Sequence, residues 1–297
     1  MSDFALEARG LGKRYGKTWA LRDCTVEIPT GSVTALVGPN GAGKTTLLHL
    51  AVGLTKPTAG SVQVLGWSAR ERPELVLPRV GFVAQEHPLY RSFRIGEMLK
   101  TGEKLNATWD HALARSRLER LRIPLDQKIA TLSGGQQAQV ALTLALAKRP
   151  ELLVLDEPVA ALDPLARREF LQSLMEAVAD GGLTVLLSSH IIADLERVCD
   201  HMILLSASQV QLAASIEDIV AEHRVLVGPR SDLSAVERLH SVVRANHTDR
   251  QTTVIVRANG HLYDSRWQVD EVELEEIVLA YLGRTPASVA GTQELAS

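Results

Sequence analysis

Gly38-Pro-Asn-Gly-Ala-Gly-Lys-Thr-Thr46 sets a lysine and two threonines behind glycines at the spacing Gly, four residues, Gly-Lys-Thr. Residues of these types at this spacing suit the binding of a nucleotide triphosphate. Glycine accepts backbone conformations with positive φ and lets N–H groups approach phosphate oxygens closely. Lys44 adds a cation. A helix opening at Gly43 and Lys44 would aim its positive end and unpaired N–H groups at the anion. The Thr45 hydroxyl is placed to ligate the magnesium that travels with the phosphates, and Thr46 offers a second hydroxyl. The whole loop is therefore predicted to contact nucleotide: Gly38, Pro39, Asn40, Gly41, Ala42, Gly43, Lys44, Thr45 and Thr46.

Two further clusters could complete a hydrolytic site. Leu152-Leu-Val-Leu is an apolar run ending in Asp156 and Glu157. Asp156 would hold the magnesium through a water, and Glu157 could polarise the water that attacks the γ-phosphorus. Leu183-Thr-Val-Leu-Leu-Ser-Ser189 ends in His190, whose imidazole could hydrogen-bond the γ-phosphate or the attacking water. The other eight histidines, His87, His111 and His201 among them, have no such placement.

The elements that must carry these residues are legible around them. Ser32–Val37 reads as a buried strand and Thr46–Val52 as an apolar helix start, so strand, loop and helix follow in the required order. The runs before Asp156 and His190 read as buried parallel strands, which in α/β sheets deliver ligand-binding residues at their C-terminal ends. Leu132-Ser-Gly-Gly-Gln136 precedes a helical pattern from Gln136 to Lys148. Ser133 suits its N-cap, Gly134 and Gly135 expose amides, Lys148 and Arg149 suit its negative end, and Pro150 stops it.

The chain has 297 residues, 45% apolar and 23% charged, enough for a large domain and a smaller one. A formal net charge of −3 gives no basic surface for holding nucleic acid, which is not expected as a partner. Cys24 and Cys199 lack disulfide or zinc-site spacing and fit a reducing, cytosolic compartment. No signal peptide is read at the N-terminus, and no apolar run approaches the roughly 20 residues of a membrane span.

With the phosphate loop, the Ser133–Gln136 segment and the two carboxylates in this order, the chain resembles the ATP-binding cassette (ABC) proteins from about Leu6 to Leu205. The resemblance implies an α/β fold of the P-loop NTPase type with a mixed central sheet and a helical insertion. It implies that Tyr15 stacks on adenine, that Gln85 senses the magnesium and the attacking water, that Leu162 and Asp163 touch a partner cassette, and that His190 is the switch histidine. It also implies that Ser133, Gly134, Gly135 and Gln136 cap the nucleotide held by the phosphate loop of a second cassette, so that ATP joins a dimer. The implied activity is MgATP hydrolysis that drives separately encoded transmembrane permease subunits. The implied location is cytoplasmic, on the inner face of the membrane through the permease. Domain boundaries are expected at 1–215 for the cassette, with a helical subdomain at about 86–148, then 216–283 for a small α/β appendage and 284–297 for a disordered tail.

In the helical subdomain Asp110–Leu121 has helical periodicity, and the resemblance implies that this subdomain contacts the permease, with Pro88, Leu89, Tyr90 and Phe93 as candidates for the receiving groove. In the appendage a strand at Val225–Val227, a helix near Ser231–Leu239, strands near Val242–Asn246 and Thr252–Val256, and a helix at about Val272–Leu282 are predicted. The segment Glu271–Gly283 resembles the end of ATPase subunits of ABC-2-type exporters. Two departures from the family pattern bear on turnover and coupling between cassettes: Gln139 stands where arginine is usual, and Val159-Ala-Ala161 where small hydroxyl residues and glycine are commoner. A chromosome-maintenance ATPase would need long heptad inserts, and a ribosomal factor two cassettes; neither is present. The alternative retained is a soluble ABC-type ATPase or regulatory module not coupled to transport.

Overall fold

A computed structural model describes residues 3–230, 233–259 and 266–284. Two compact units divide between Glu217 and Asp218. The first begins with β1 (Phe4–Tyr15), β2 (Thr18–Pro29), β3 (Val33–Val37), α1 (Lys44–Ala51), β4 (Ala59–Val64), α2 (Pro73–Val76) and β5 (Val80–Val83). It continues through α3 (Ile95–Leu105), α4 (His111–Arg120), α5 (Gly134–Ala147), β6 (Leu152–Leu155), α6 (Pro164–Ala179), β7 (Thr184–Ser189), α7 (Ile192–Leu195), β8 (His201–Ser206) and β9 (Gln209–Ser215).

Every residue of β3, β6 and β7 is buried, which is why they read as unbroken apolar runs rather than alternating ones. They lie in a sheet of order β5-β6-β7-β3-β8-β9, parallel except for β9, which returns antiparallel on β8. The register pairs Val37 with Ser189, and Leu155 with both Val83 and Leu187. The chain therefore leaves β3 into the phosphate loop, β6 into Asp156, β7 into His190 and β5 toward Gln85 along one edge. A second, antiparallel sheet of order β2-β1-β4 covers the first. Leu6, Leu11, Leu21 and Ile28 from this sheet bury against Leu47 and Leu48 of α1 and Leu36 and Ile203 of the parallel sheet. Each such side chain is worth about 1.5–3 kcal/mol of transfer free energy, so the site's framework is anchored from beneath.

The stretch expected to be helical holds α3, α4 and α5 around its own core of Ile95, Leu99, Leu118, Ile129 and Val140. Asp110 caps α4 through the Leu113 amide at 2.7 Å. α5 starts at Gly134, two residues before the predicted helix, because Ser133 is the N-cap. Lys148 and Arg149 do not serve the end of their own helix. Lys148 Nζ donates to the Leu77 and Val80 carbonyls at 3.0 and 2.7 Å, and burial lowers its pKa. Arg149 pairs with Asp110 at 2.6 Å. Tertiary acceptors outbid the local dipole here because they are fixed and partly desolvated.

α8 (Ile216–Glu222) contains the division, and after it run β10 (His223–Pro229), α9 (Leu233–Leu239), β11 (Ser241–His247), β12 (Gln251–Arg257), β13 (Gln268–Asp270) and α10 (Leu274–Leu282). The strands form an antiparallel sheet of order β11-β12-β10-β13 over Leu226, Val236, Val254, Val256 and Trp267. His223 is fully buried. Its Nδ1 lies 2.6 Å from the Ile219 carbonyl and its Nε2 3.0 Å from the Tyr281 hydroxyl, and burial lowers its pKa. Ser231 and Asp232 of the helix predicted near Ser231–Leu239, and the expected disordered tail beyond Arg284, lie outside the described residues.

Candidate nucleotide site

α1 opens without a side-chain cap: its N-cap is Gly43, in the left-handed region at φ 108°. A Cβ at Gly43 would run into the Ala20 carbonyl, so glycine is required twice over, for conformation and for space. The first-turn amides of α1 are thus left for a ligand, as an anion-binding helix end demands. Above them opens a cavity of about 650 Å³ lined by Tyr15, Ala20, Asn40, Gly41, Gly43, Lys44, Thr45, Thr46, Gln85, Glu157, Ala160 and His190. Residues from six separate stretches of sequence meet there.

Lys44 is 5% exposed, with Nζ 2.7 Å from the Gly38 carbonyl, 3.4 Å from that of Pro39 and 3.0 Å from Glu157 Oε1. The other Glu157 oxygen, Oε2, lies 3.3 Å from His190 Nδ1. Glu157 has φ 44°, an uncommon conformation for a residue with a side chain. Its amide donates to Ser188 Oγ at 2.8 Å, and that hydroxyl donates to Asp156 Oδ1 at 2.8 Å. One serine therefore fixes both carboxylate residues from the neighbouring strand. Sequence reasoning missed Ser188; the available signal was a hydroxyl pair closing an otherwise apolar strand.

The predicted residues fall into three groups. Tyr15, Asn40, Gly41, Gly43, Lys44, Thr45, Thr46, Gln85, Glu157 and His190 line the cavity together. Gly38, Pro39 and Ala42 form the loop behind it, and Asp156, 2% exposed, sits below at the end of β6. Tyr15 is 53% exposed, with Lys13 Nζ 5.0 Å from its ring centroid, and so presents an open face for stacking. Ser133, Gly134, Gly135, Gln136 and Asp163 do not line it. Ser133 Oγ accepts the Gln136 amide at 3.2 Å while Gln136 Oε1 accepts the Ser133 amide at 3.0 Å, a closed capping box. Asp163 caps α6 through the amides of Leu165 and Ala166, both at 3.0 Å. Ala20, which no motif signalled, and Ala160, from the Val159-Ala-Ala161 segment, also line the cavity. Gln139 is buried with its Nε2 3.3 Å from Ser173 Oγ, while a guanidinium arrives from α4 instead, Arg117 donating to the Ser173 carbonyl at 3.4 Å.

The cavity fits a nucleotide and a hard divalent cation. Its donor set is backbone amides and an ammonium for phosphate, with the Thr45 hydroxyl and nearby Asp156 as oxygen ligands of the kind magnesium takes. A second, apolar cavity of about 550 Å³ is lined by Leu54, Leu77, Pro88, Leu89, Tyr90 and Trp109, among others. Phe93 stands behind its wall, 5.1 Å from the Tyr90 ring centroid to centroid. Among the described residues, no helix is long and apolar enough to cross a membrane.

Residues 21–160 match the family model described as ABC transporter. The chain is 34% identical over 214 residues to the Nod factor export ATP-binding protein I of Rhizobium johnstonii (strain DSM 114642 / LMG 32736 / 3841), covering 70% of this chain and 68% of that one. It is 34% identical over 229 residues to the sulfate/thiosulfate import ATP-binding protein CysA of Vibrio vulnificus (strain CMCP6), covering 72% and 65%. A solved structure of an ATP binding subunit of an ABC transporter superposes with a TM-score of 0.66 at 30% identity, over 73% of this chain and 92% of that one. That of cbiO1 from Clostridium perfringens, part of the cbiONQ ABC transporter complex, gives 0.65 at 27% identity, over 74% and 92%.

Proposed function

This chain belongs to the ABC transporter family as an ATP-binding, ATP-hydrolysing subunit that powers membrane transport, and from that premise we propose that it works in an exporter as one of two cassettes closing on MgATP. The direction rests on the likeness to the Nod factor export subunit. The observation that carries the site assignment is the convergence of Tyr15, the phosphate loop, Gln85, Glu157 and His190 on one cavity.

In this reading Tyr15 stacks on adenine, the loop amides and Lys44 hold the β- and γ-phosphates, and Thr45, Gln85 and Asp156 would hold magnesium, which would supply charge neutralisation on the phosphates. Glu157 orients and deprotonates the attacking water, and His190, already beside Glu157, holds the γ-phosphate. Ser133, Gly134, Gly135 and Gln136 are exposed or half-buried and lie outside the cavity of their own chain, as a group serving another chain's nucleotide should. Asp163, at the head of α6, faces the partner cassette. The permease seats a segment in the apolar cavity of Leu89 and Tyr90, and residues 218–283 belong to an accessory domain.

Phosphate release from the purified protein tests the catalytic part. Glu157→Gln is expected to lower kcat by about 10²- to 10⁴-fold, and equal rates in the two proteins would remove the assignment. Light scattering of Glu157→Gln with MgATP tests the dimer: a species that stays monomeric at every concentration refutes the two-cassette site.

A further inference from the structure

The ammonium of Lys44 has three protons, and the structure gives it three protein acceptors: the Gly38 carbonyl at 2.7 Å, the Pro39 carbonyl at 3.4 Å and Glu157 Oε1 at 3.0 Å. The first two belong to the phosphate loop itself and curl the side chain back over its own backbone. The third is a carboxylate from another strand end, and with Lys44 5% and Glu157 10% exposed at the side chain, the pair is close to sealed from water. The cation of the phosphate loop therefore already holds an anion, and that anion is the residue assigned to activate water. Glu157 is committed from all sides: Oε1 to Lys44, Oε2 to His190, and its backbone held at φ 44° by the Ser188 hydroxyl.

We propose that the Lys44–Glu157 pair is an internal latch. The Glu157 carboxylate occupies the anion position on Lys44, and an incoming phosphate group must displace it. Displacement is what frees Oε1 to face a water. The base is thus released by the substrate whose hydrolysis it will assist. This inference deepens the assignment of Glu157 as base and rests on that reading. The chemistry is an exchange of one oxyanion for another on a single ammonium, with no covalent change, so the carboxylate competes directly with phosphate for Lys44. Breaking a nearly buried ion pair without replacing it is costly. Phosphate replaces it, which is why the exchange is accessible to nucleotide and not to water.

The latch and simple charge repulsion differ in what they require of Glu157. Repulsion needs only a negative charge in the cavity, whereas the latch needs a side chain long enough to reach Nζ. Glu157→Asp keeps the charge and is one methylene shorter. ATP affinity is measured by calorimetry on the full chain in EDTA, at concentrations where light scattering finds monomer, with thermal unfolding confirming that each variant folds. Both Glu157→Gln and Glu157→Asp are expected to bind ATP about tenfold more tightly than the unaltered protein, the scale of one charge-assisted hydrogen bond. Tightening in Glu157→Gln alone would assign the effect to repulsion and overturn the latch, and so would unchanged affinity in both. Phosphate release by Glu157→Gln tests the catalytic reading separately: undiminished turnover refutes the base assignment, and a drop in turnover without tighter ATP binding in both variants refutes the latch alone.

Discussion

Two helices of the first unit begin with glycines that sequence reasoning assigned to anions, and they begin in opposite ways. α1 has no side-chain cap, a left-handed Gly43 at its mouth and a cation at its first position. α5 has a closed box in which Ser133 and Gln136 satisfy each other's amides. The first end is built to be completed by a ligand, while the second already satisfies part of its own donors. What remains to α5 for an anion is the Gly134 and Gly135 amides and the proton of the Ser133 hydroxyl, whose oxygen accepts from Gln136. A site that relies on so few donors is weak alone, which fits a surface that adds its contribution only when nucleotide is already held elsewhere. α4 and α6 show the use of the same position by a carboxylate: Asp110 caps the first through the Leu113 amide and Asp163 the second through the amides of Leu165 and Ala166.

Removing the cation from the open end is the largest test of this contrast. Lys44→Met is expected to weaken ATP binding by about 10- to 100-fold, the loss of a hydrogen bond to a charged group worth about 1.5–3 kcal/mol, as read by calorimetry; affinity within twofold of the original would mean that the α1 end does not hold phosphate. At the closed end, Ser133→Ala should cost about 1 kcal/mol of stability through the lost cap while leaving monomer ATP affinity unchanged, and should weaken ATP-dependent dimerisation seen by light scattering. If monomer affinity falls instead, the two helix ends act on one nucleotide within one chain. The smallest effect belongs to the purely structural cap. The Leu113 amide first, and then the Arg149 guanidinium, hold the Asp110 carboxyl below the usual carboxylate range. Because its folded pKa is depressed, the stability it gives is present above the unfolded value near 3.8 and is lost as pH falls through the folded value. Asp110→Asn, which keeps an N-cap acceptor, should therefore flatten acid unfolding below about pH 4 with a neutral-pH change of no more than about 1 kcal/mol; an unchanged acid limb would show that Asp110 contributes nothing there.

Much of this was legible because it is local. The phosphate loop, the strand before it, the runs ending in Asp156 and His190 and the Ser133 cap all depend on residues within a few positions of each other, where periodicity and capping chemistry act directly. Ser188 and Ala20 were not legible as site residues. A strand's side chains say that it is buried but not which neighbour it is buried beside, and only the pairing of β7 with β6 places Ser188 against Asp156 and Glu157. Lys148 and Arg149 misled for the same reason: their acceptors come from segments roughly 40 to 70 residues away in sequence.

By itself the sequence determined the type of ligand, the identity of the groups that could hold it and the α/β layering, because each follows from residue type and short-range spacing. Only the tertiary structure decided that Lys44 and Glu157 would meet at 3.0 Å, that His190 would join them, and that the Ser133 box would close apart from the cavity. Distances between strand ends are set by sheet order and register. Those arise from the burial of whole faces at once, a property no single motif carries.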